Sequence, residues 1–94
     1  MPNSRRKPAR RYKEFIVASV SSNTNSFGLR GMVLVARDGE AWQVGANDIN
    51  VKKKGEVLRI PGRKTARNFA ALGFEIPERL KDAPPGVLTE IWPR

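Results

Sequence analysis

The chain of 94 residues contains neither cysteine nor histidine. Without cysteine it can form no disulfide and no thiolate metal site, so we expect the protein to work in the reducing cytoplasm. The absence of both residue types excludes the Ser-His-Asp and Cys-His catalytic devices and the usual zinc sites. No apolar run approaches the ~20 residues that a membrane-spanning helix needs, so we expect no membrane partner.

The sequence also lacks the glycine-rich phosphate loops GxxxxGK[ST] and GxGxxG. Asp38, Glu40 and Asp48 are conceivable oxygen ligands for a metal, but Asp38 is needed for a turn and Glu40 for an ion pair. Tyr12 has no base or metal site beside it that would activate it as a nucleophile. We therefore expect no enzyme activity, no catalytic residue, no metal and no cofactor.

Negative charge is scarce, because 18 lysines and arginines stand against 9 acidic residues, a net charge of +9. Residues 1–13 hold six bases and no acid, and residues 52–67 hold seven bases and one acid, a net charge of +6 in each segment. Such blocks of positive charge indicate that the protein binds a polyanion, because binding releases the counterions of the polyanion. The residues predicted to contact nucleic-acid phosphates are Arg5, Arg6, Lys7, Arg10, Arg11, Lys13, Lys52, Lys53, Lys54, Arg59, Arg63, Lys64 and Arg67.

The first 11 residues are polar and basic, and their prolines, Pro2 and Pro8, oppose a helix. We expect a flexible basic arm over 1–11 and a single small β-rich domain over 12–94. The arm either lies along a nucleic-acid backbone or is a solvated tail, and the sequence leaves both alternatives open.

The domain opens with a continuous apolar run within Tyr12–Ser21, which predicts a central strand covered on both faces. Two further β-forming runs, 29–37 and 40–44, flank Asp38-Gly39 and predict a hairpin. A two-residue loop there would place Val35 opposite Trp42 on one face of the hairpin. A fourth strand is predicted over 57–60, after a loop that carries Lys52, Lys53 and Lys54.

A short helix is predicted over Ala66–Leu72, with Thr65 as its N-cap and Gly73 ending it. The basic residues at its start indicate a phosphate site, with the alternative that their side chains simply lie over the sheet. One helical turn is predicted over 76–82. The run Val87–Trp92 predicts a last strand that pairs with this sheet or with a partner's.

The fold class is accordingly mainly β (α+β): a small, strongly bent antiparallel sheet or a partly open barrel, with one or two short helices. We expect Trp42 and Trp92 to pack in the core. Tyr12 and Phe27, at strand starts beside flexible segments, are the better candidates for stacking on nucleic-acid bases, although the core is the commoner fate of such residues.

The stretch 55–61, followed by a short helix ending Leu72-Gly73 and a final strand, resembles the strand–Ile-Pro–helix–Leu-Gly–strand unit of AbrB/MazE-type swapped-hairpin DNA-binding proteins. The resemblance covers less than half the chain, and the interval between Pro61 and Leu72 is longer than that family's. It implies a dimeric DNA-binding protein and assigns no binding residue.

Together these features predict a non-catalytic, accessory or regulatory nucleic-acid-binding protein, with DNA favoured over RNA and a homodimer expected. The alternative is a protein-interaction module that binds an acidic partner or adds a strand to a partner's sheet.

Overall fold

The computed structural model describes residues 12–93, which form five strands and two short helices. The elements are β1 (Tyr12–Thr24), β2 (Arg30–Ala36), β3 (Ala41–Ala46), β4 (Val57–Pro61), α1 (Thr65–Ala71), β5 (Glu78–Arg79) and α2 (Pro85–Ile91). The arm predicted over residues 1–11 lies outside the described residues.

The strands form one antiparallel sheet in the order β4-β1-β2-β3-β5. The sheet is not closed, since β4 and β5 lie at opposite edges. The prediction of a mainly β fold with short helices is therefore confirmed.

The first strand, β1, is central, as its continuous apolar run predicted. Tyr12–Ile16 pair with β4 on one side, and β1 pairs with β2 on the other. The register with β2 shifts between Val17 and Ser19, which leaves Ala18 as an extra residue. Because of that shift, Val17 before it and Val20 after it both face the core.

The core lies between one face of the sheet and α1. Phe69 of α1 is fully buried and packs edge-on against Phe15 of β1, with 5.1 Å between ring centroids. The helix ends as predicted at Gly73, whose φ is +91°. The amides of Gly73 and Phe74 donate to the carbonyls of Ala70 and Phe69, so the carbonyls of the last turn are satisfied.

The predicted hairpin forms, but the predicted register is wrong by one residue. Leu34 faces Trp42 and Val35 faces Ala41, so three residues, 37–39, form the loop. Gly39 adopts a φ of +95°, and its amide donates to the Ala36 carbonyl. One residue of slip reverses every side chain of β3, and Trp42 therefore lies on the Leu34 side, packed against the core.

Three other local predictions are also wrong. Lys64, with a left-handed φ of +53°, is the N-cap of α1, and Thr65 is its first helical residue. The helical turn predicted over 76–82 is replaced by the two-residue strand β5, which pairs with Trp42 and Gln43. The strand predicted over Val87–Trp92 is the helix α2, which starts with Pro85 in its first turn.

Candidate nucleic-acid interface

The edge strand β4 and the segments on either side of it carry a row of exposed cations. We call this row the basic rim and define it as Lys53, Lys54, Arg59, Arg63, Lys64 and Arg67. The rim follows β4 from its start to the first turns of α1. Because a strand advances ~3.3 Å per residue, the five residues of β4 extend it over roughly 16 Å.

A tight turn fixes the first end of the rim. Glu56 donates its amide to the Lys53 carbonyl, and Gly55 sits between them with a φ of +91°. The Gly55 amide donates to the Val17 carbonyl and the Val17 amide to the Glu56 carbonyl, so the turn is bonded to β1. Lys53 and Lys54 therefore project from an anchored turn, whereas Lys52 is half-buried and its amide approaches the Met32 sulfur at 3.3 Å.

The other end of the rim is fixed by Asn68 of α1. Its side-chain amide donates to the carbonyl of Pro61 at 3.1 Å and also to the carbonyl of Arg63. These bonds hold the connection between β4 and α1, on which Arg63 and Lys64 lie. Because α1 has only seven residues, we do not assign a phosphate site to its N-terminal end. Phosphate binding is assigned to the side chains of the rim cations.

Within residues 12–93, the rim cations form no ion pairs. The salt bridges within residues 12–93 involve Lys13, Arg30, Arg37 and Arg79, and none involves a rim residue. Glu56 lies in the turn beside Lys53 and Glu14 lies across from Arg59, but within residues 12–93 neither forms an ion pair with a rim cation, so this edge keeps a large excess of positive charge.

Lys13 differs from the other predicted phosphate ligands. Its ammonium group bonds to the carboxylates of Asp38, at 2.9 Å, and Glu40. Partial burial disfavours the charged form, but the two hydrogen bonds outweigh it and raise the pKa of Lys13. The Lys13 bond, supported by one from the Glu40 amide, lowers the pKa of Asp38. Lys13 is therefore held in a local ion-pair cluster at the hairpin loop.

The described part of the chain begins beside the rim. Tyr12, its first residue, pairs with Pro61 at the end of β4. The first described residue of the chain therefore lies at the end of β4 that leads to Arg63 and Lys64. Arg5, Arg6, Lys7, Arg10 and Arg11 themselves lie outside the described residues.

The two predicted stacking residues are not brought together. Tyr12 begins β1 and is 46% exposed, whereas Phe27 lies beyond its other end and is 83% exposed. The 13 residues of β1 separate them by roughly 40 Å. Of the two, only Tyr12 adjoins the rim, where the Arg59 guanidinium lies 4.5 Å from its ring centroid.

Sequence reasoning missed Glu14 and Arg37, which line a groove with Tyr12, and Trp92, which lies against Arg37. The guanidinium of Arg37 lies 4.1 Å from the Trp92 ring centroid and 3.7 Å from a Glu14 carboxylate oxygen. The two-residue spacing of Tyr12 and Glu14 would have placed them on one strand face. Nothing local in the sequence links Trp92 to Arg37, which lies 55 positions away.

Within residues 12–93, no group of three or more acidic side chains is arranged to hold a metal ion. Neither α1 nor α2, the helices of that part of the chain, is long and apolar enough to cross a membrane. None of the protein-family models, curated proteins or solved structures compared with the chain matches it. The resemblance to AbrB/MazE-type proteins thus gains no support, and function rests on the physical properties of the site.

Proposed function

We propose that this protein is a non-catalytic, cytoplasmic nucleic-acid-binding protein that contacts phosphates through its basic rim and its N-terminal basic arm. The observation that carries the proposal is the absence of ion pairs from the rim within residues 12–93, where four of the six other cations, Lys13, Arg30, Arg37 and Arg79, are paired. Clustered unpaired cations are destabilising alone and favourable beside a polyanion.

The anchoring of the rim supports this function. The turn at Lys53–Gly55 and the connection held by Asn68 fix the backbone at both ends of β4. Cations held on a fixed backbone lose less conformational freedom on binding than cations on a free tail. The arm adds five further cations, Arg5, Arg6, Lys7, Arg10 and Arg11, to the phosphate contacts.

The proposal predicts binding that weakens steeply with salt. Five or six phosphate contacts by the rim correspond to a slope of about −4 in log affinity against log salt for a single strand, and a steeper slope for a duplex. Fluorescence anisotropy with labelled oligonucleotides at about 50 and 200 mM salt measures it. Removal of residues 1–11 should lower the affinity and make its dependence on salt less steep. No binding to any single strand or duplex at the lower salt concentration would overturn the proposal.

A matched pair of variants separates site binding from net charge. Lys53→Ala/Lys54→Ala removes two charges from the rim, and Arg79→Ala/Lys81→Ala removes two near β5, at the opposite sheet edge. The first double variant should weaken binding at least several-fold more than the second. Equal losses would mean that the rim is not the site.

A second candidate function, protein interaction, is supported by one other surface. Phe27 and Ile76 are 83% and 86% exposed and line a common groove with Glu75 and Glu78. Adding a C-terminal strand to a partner's sheet is no longer part of this candidate, because that segment forms α2. Light scattering that shows a stoichiometric complex with a protein, together with indifference to nucleic acid, would favour it.

A further inference from the structure

A second group of side chains lies beside the basic rim, on the sheet face opposite Phe15. Glu14 of β1 lies directly across from Arg59 of β4. On its other side, the Glu14 carboxylate is 3.7 Å from Arg37 at the end of β2. One carboxylate is therefore flanked by two guanidinium groups across three neighbouring chain segments.

Each of these guanidinium groups also lies over an aromatic ring. The Arg59 guanidinium is 4.5 Å from the Tyr12 ring centroid, and the Arg37 guanidinium is 4.1 Å from the Trp92 ring centroid. The Trp92 ring is fixed by a hydrogen bond of 2.9 Å from its Nε1 to the Val35 carbonyl. We call Tyr12, Arg59, Glu14, Arg37 and Trp92 the stacking row.

The stacking row has the chemistry that recognises unpaired bases. Flat aromatic and guanidinium surfaces stack on nucleobases, and a carboxylate accepts hydrogen bonds from their amino groups or, in thymine and uracil, from the ring N–H group. Tyr12 remains 46% exposed although its ring is already covered by Arg59, so part of its surface is open to a ligand. These side chains contribute little to the core, which lies on the other face.

We propose that the ligand of this protein is single-stranded nucleic acid, and that two of its bases stack on the row, one at Tyr12–Arg59 and one at Arg37–Trp92. The proposal rests on the proposed function and names its substrate class. The bases of a duplex are stacked on one another, so their faces are closed to such a row.

The charges give the strand an orientation. Glu14 repels phosphate, whereas the rim cations beside it form no ion pair with a carboxylate in the described chain. The sugar–phosphate backbone therefore follows β4 along the rim, and the bases turn inward over β1 towards α2. Arg59 lies where the rim and the row meet.

The test compares a single strand of about 12 nucleotides, as oligo-dT and as oligo-U, with a duplex of the same length. Tyr12→Ile removes the ring but keeps a strand-forming residue, and Tyr12→Phe keeps the ring. Phe27→Ile is the matched control, because it removes an exposed aromatic at the far end of β1. Anisotropy with the full chain gives the affinities.

Tyr12→Ile should weaken single-strand binding roughly 5- to 100-fold, the usual effect of losing one stacked base. Tyr12→Phe and Phe27→Ile should stay within about two-fold of the natural chain, and preferential binding of either oligo-dT or oligo-U over the duplex supports the proposal. In a Trp42→Phe background, single strands should quench the emission of Trp92, the remaining indole.

The outcomes separate this inference from the function beneath it. Binding of the duplex as tightly as the single strand, or equal effects of Tyr12→Ile and Phe27→Ile, would overturn the stacking row and leave the basic rim as a phosphate site. No salt-dependent binding to any nucleic acid would overturn both.

Discussion

The Nε1 atom of Trp92 donates a 2.9 Å hydrogen bond to the carbonyl oxygen of Val35, 57 positions earlier in the chain. This bond ties the end of α2 to β2, next to Arg37. Leu88 of α2 and Trp92, the residue just after the helix, lie four positions apart on one side, and the Trp92 amide donates to the Leu88 carbonyl. The bond thus fixes both a terminal helix and one end of the stacking row.

Trp92→Phe should lower the free energy of unfolding by about 1–3 kcal/mol, because the Val35 carbonyl loses its partner. Urea denaturation followed by circular dichroism measures the change. Glu90→Gln, an exposed substitution in the same helix, should change stability by less than about 0.5 kcal/mol. A Trp92→Phe variant as stable as the control would show that the indole bond contributes nothing.

Gly73→Ala should be destabilising and Gly86→Ala stabilising. Gly73 has a φ of +91°, and an added Cβ would clash with the Asn50 side-chain nitrogen, so we expect a loss of about 1–3 kcal/mol. Gly86 lies in the first turn of α2 with nothing within 4 Å of an added Cβ. Alanine there should add about 0.5–1 kcal/mol, and thermal unfolding of both variants should shift the midpoint in opposite directions.

Lys64→Gly should raise stability and weaken nucleic-acid binding. Lys64 has a positive φ of +53°, which costs a side-chain-bearing residue about 1 kcal/mol, and its charge opposes the dipole at the start of α1. Glycine tolerates the positive φ, carries no charge that would oppose the helix dipole, and removes one cation from the rim. Lys53→Gly is the control, because it removes a rim cation without relieving a positive φ.

Lys53→Gly should weaken binding by a similar factor without the gain in stability. Urea denaturation and anisotropy on the same two variants measure both effects. If Lys64→Gly bound nucleic acid as tightly as the natural chain, Lys64 would not be part of the interface.

Lys13→Met should destabilise the protein by about 1–2 kcal/mol near neutral pH, since it removes the partner of Asp38 and Glu40. The pKa of Asp38 is lowered, so its share of the stabilisation is present above the ordinary value of 3.8 and is lost as pH falls through the lower folded value. The pKa of Lys13 is raised, so its share is present below 10.5 and is lost as pH rises through the higher folded value.

The stability difference between the natural chain and Lys13→Met should therefore be constant near neutral pH and shrink in acid below 3.8 and in alkali above 10.5. Urea denaturation across this pH range measures it. Lys81 is an exposed lysine outside the ion pairs of residues 12–93. The stability difference between the natural chain and Lys81→Met should therefore not change in this way with pH. A difference independent of pH for Lys13→Met would contradict the cluster.

Local sequence signals identified the hairpin but not its register. Asp38-Gly39 is at the loop, as predicted, but the Glu40 amide donates to the Asp38 side chain and Gly39 is left-handed, so Arg37 joins the loop. The energies that choose between a two- and a three-residue loop are small. The choice is made by packing, which places Trp42 against Phe69 of α1, 6.1 Å between ring centroids.

The terminal helix shows the opposite situation, in which the composition of a segment favours the wrong structure. Val87 and Ile91 are β-branched, and alternation within this run suggested a strand. Pro85 in the first turn is compatible with a helix, and the helix sets Leu88 and Trp92 on one side towards Arg37. Local propensity cannot predict the contact between Trp92 and Arg37, because the two residues are 55 positions apart in the sequence.

The candidate site divides in the same way. The clustering of Lys53, Lys54, Arg63 and Lys64 was evident from the sequence, because they lie within one short stretch. The sequence did not show that these residues form no ion pairs within residues 12–93. It also did not show that Lys13 pairs with Asp38 and Glu40. Both depend on which acidic residues the sheet register places nearby.

The position of β1 has a mechanical consequence for the basic arm. A pull on residue 11 loads Tyr12–Ile16 along the strand axis, and this segment is bonded to β4 on one side and to β2 from Phe15 onward on the other. Such a load shears several hydrogen bonds simultaneously rather than opening them one by one. A strand bonded on both sides in this way resists a pull from its N-terminal end until several hydrogen bonds break together.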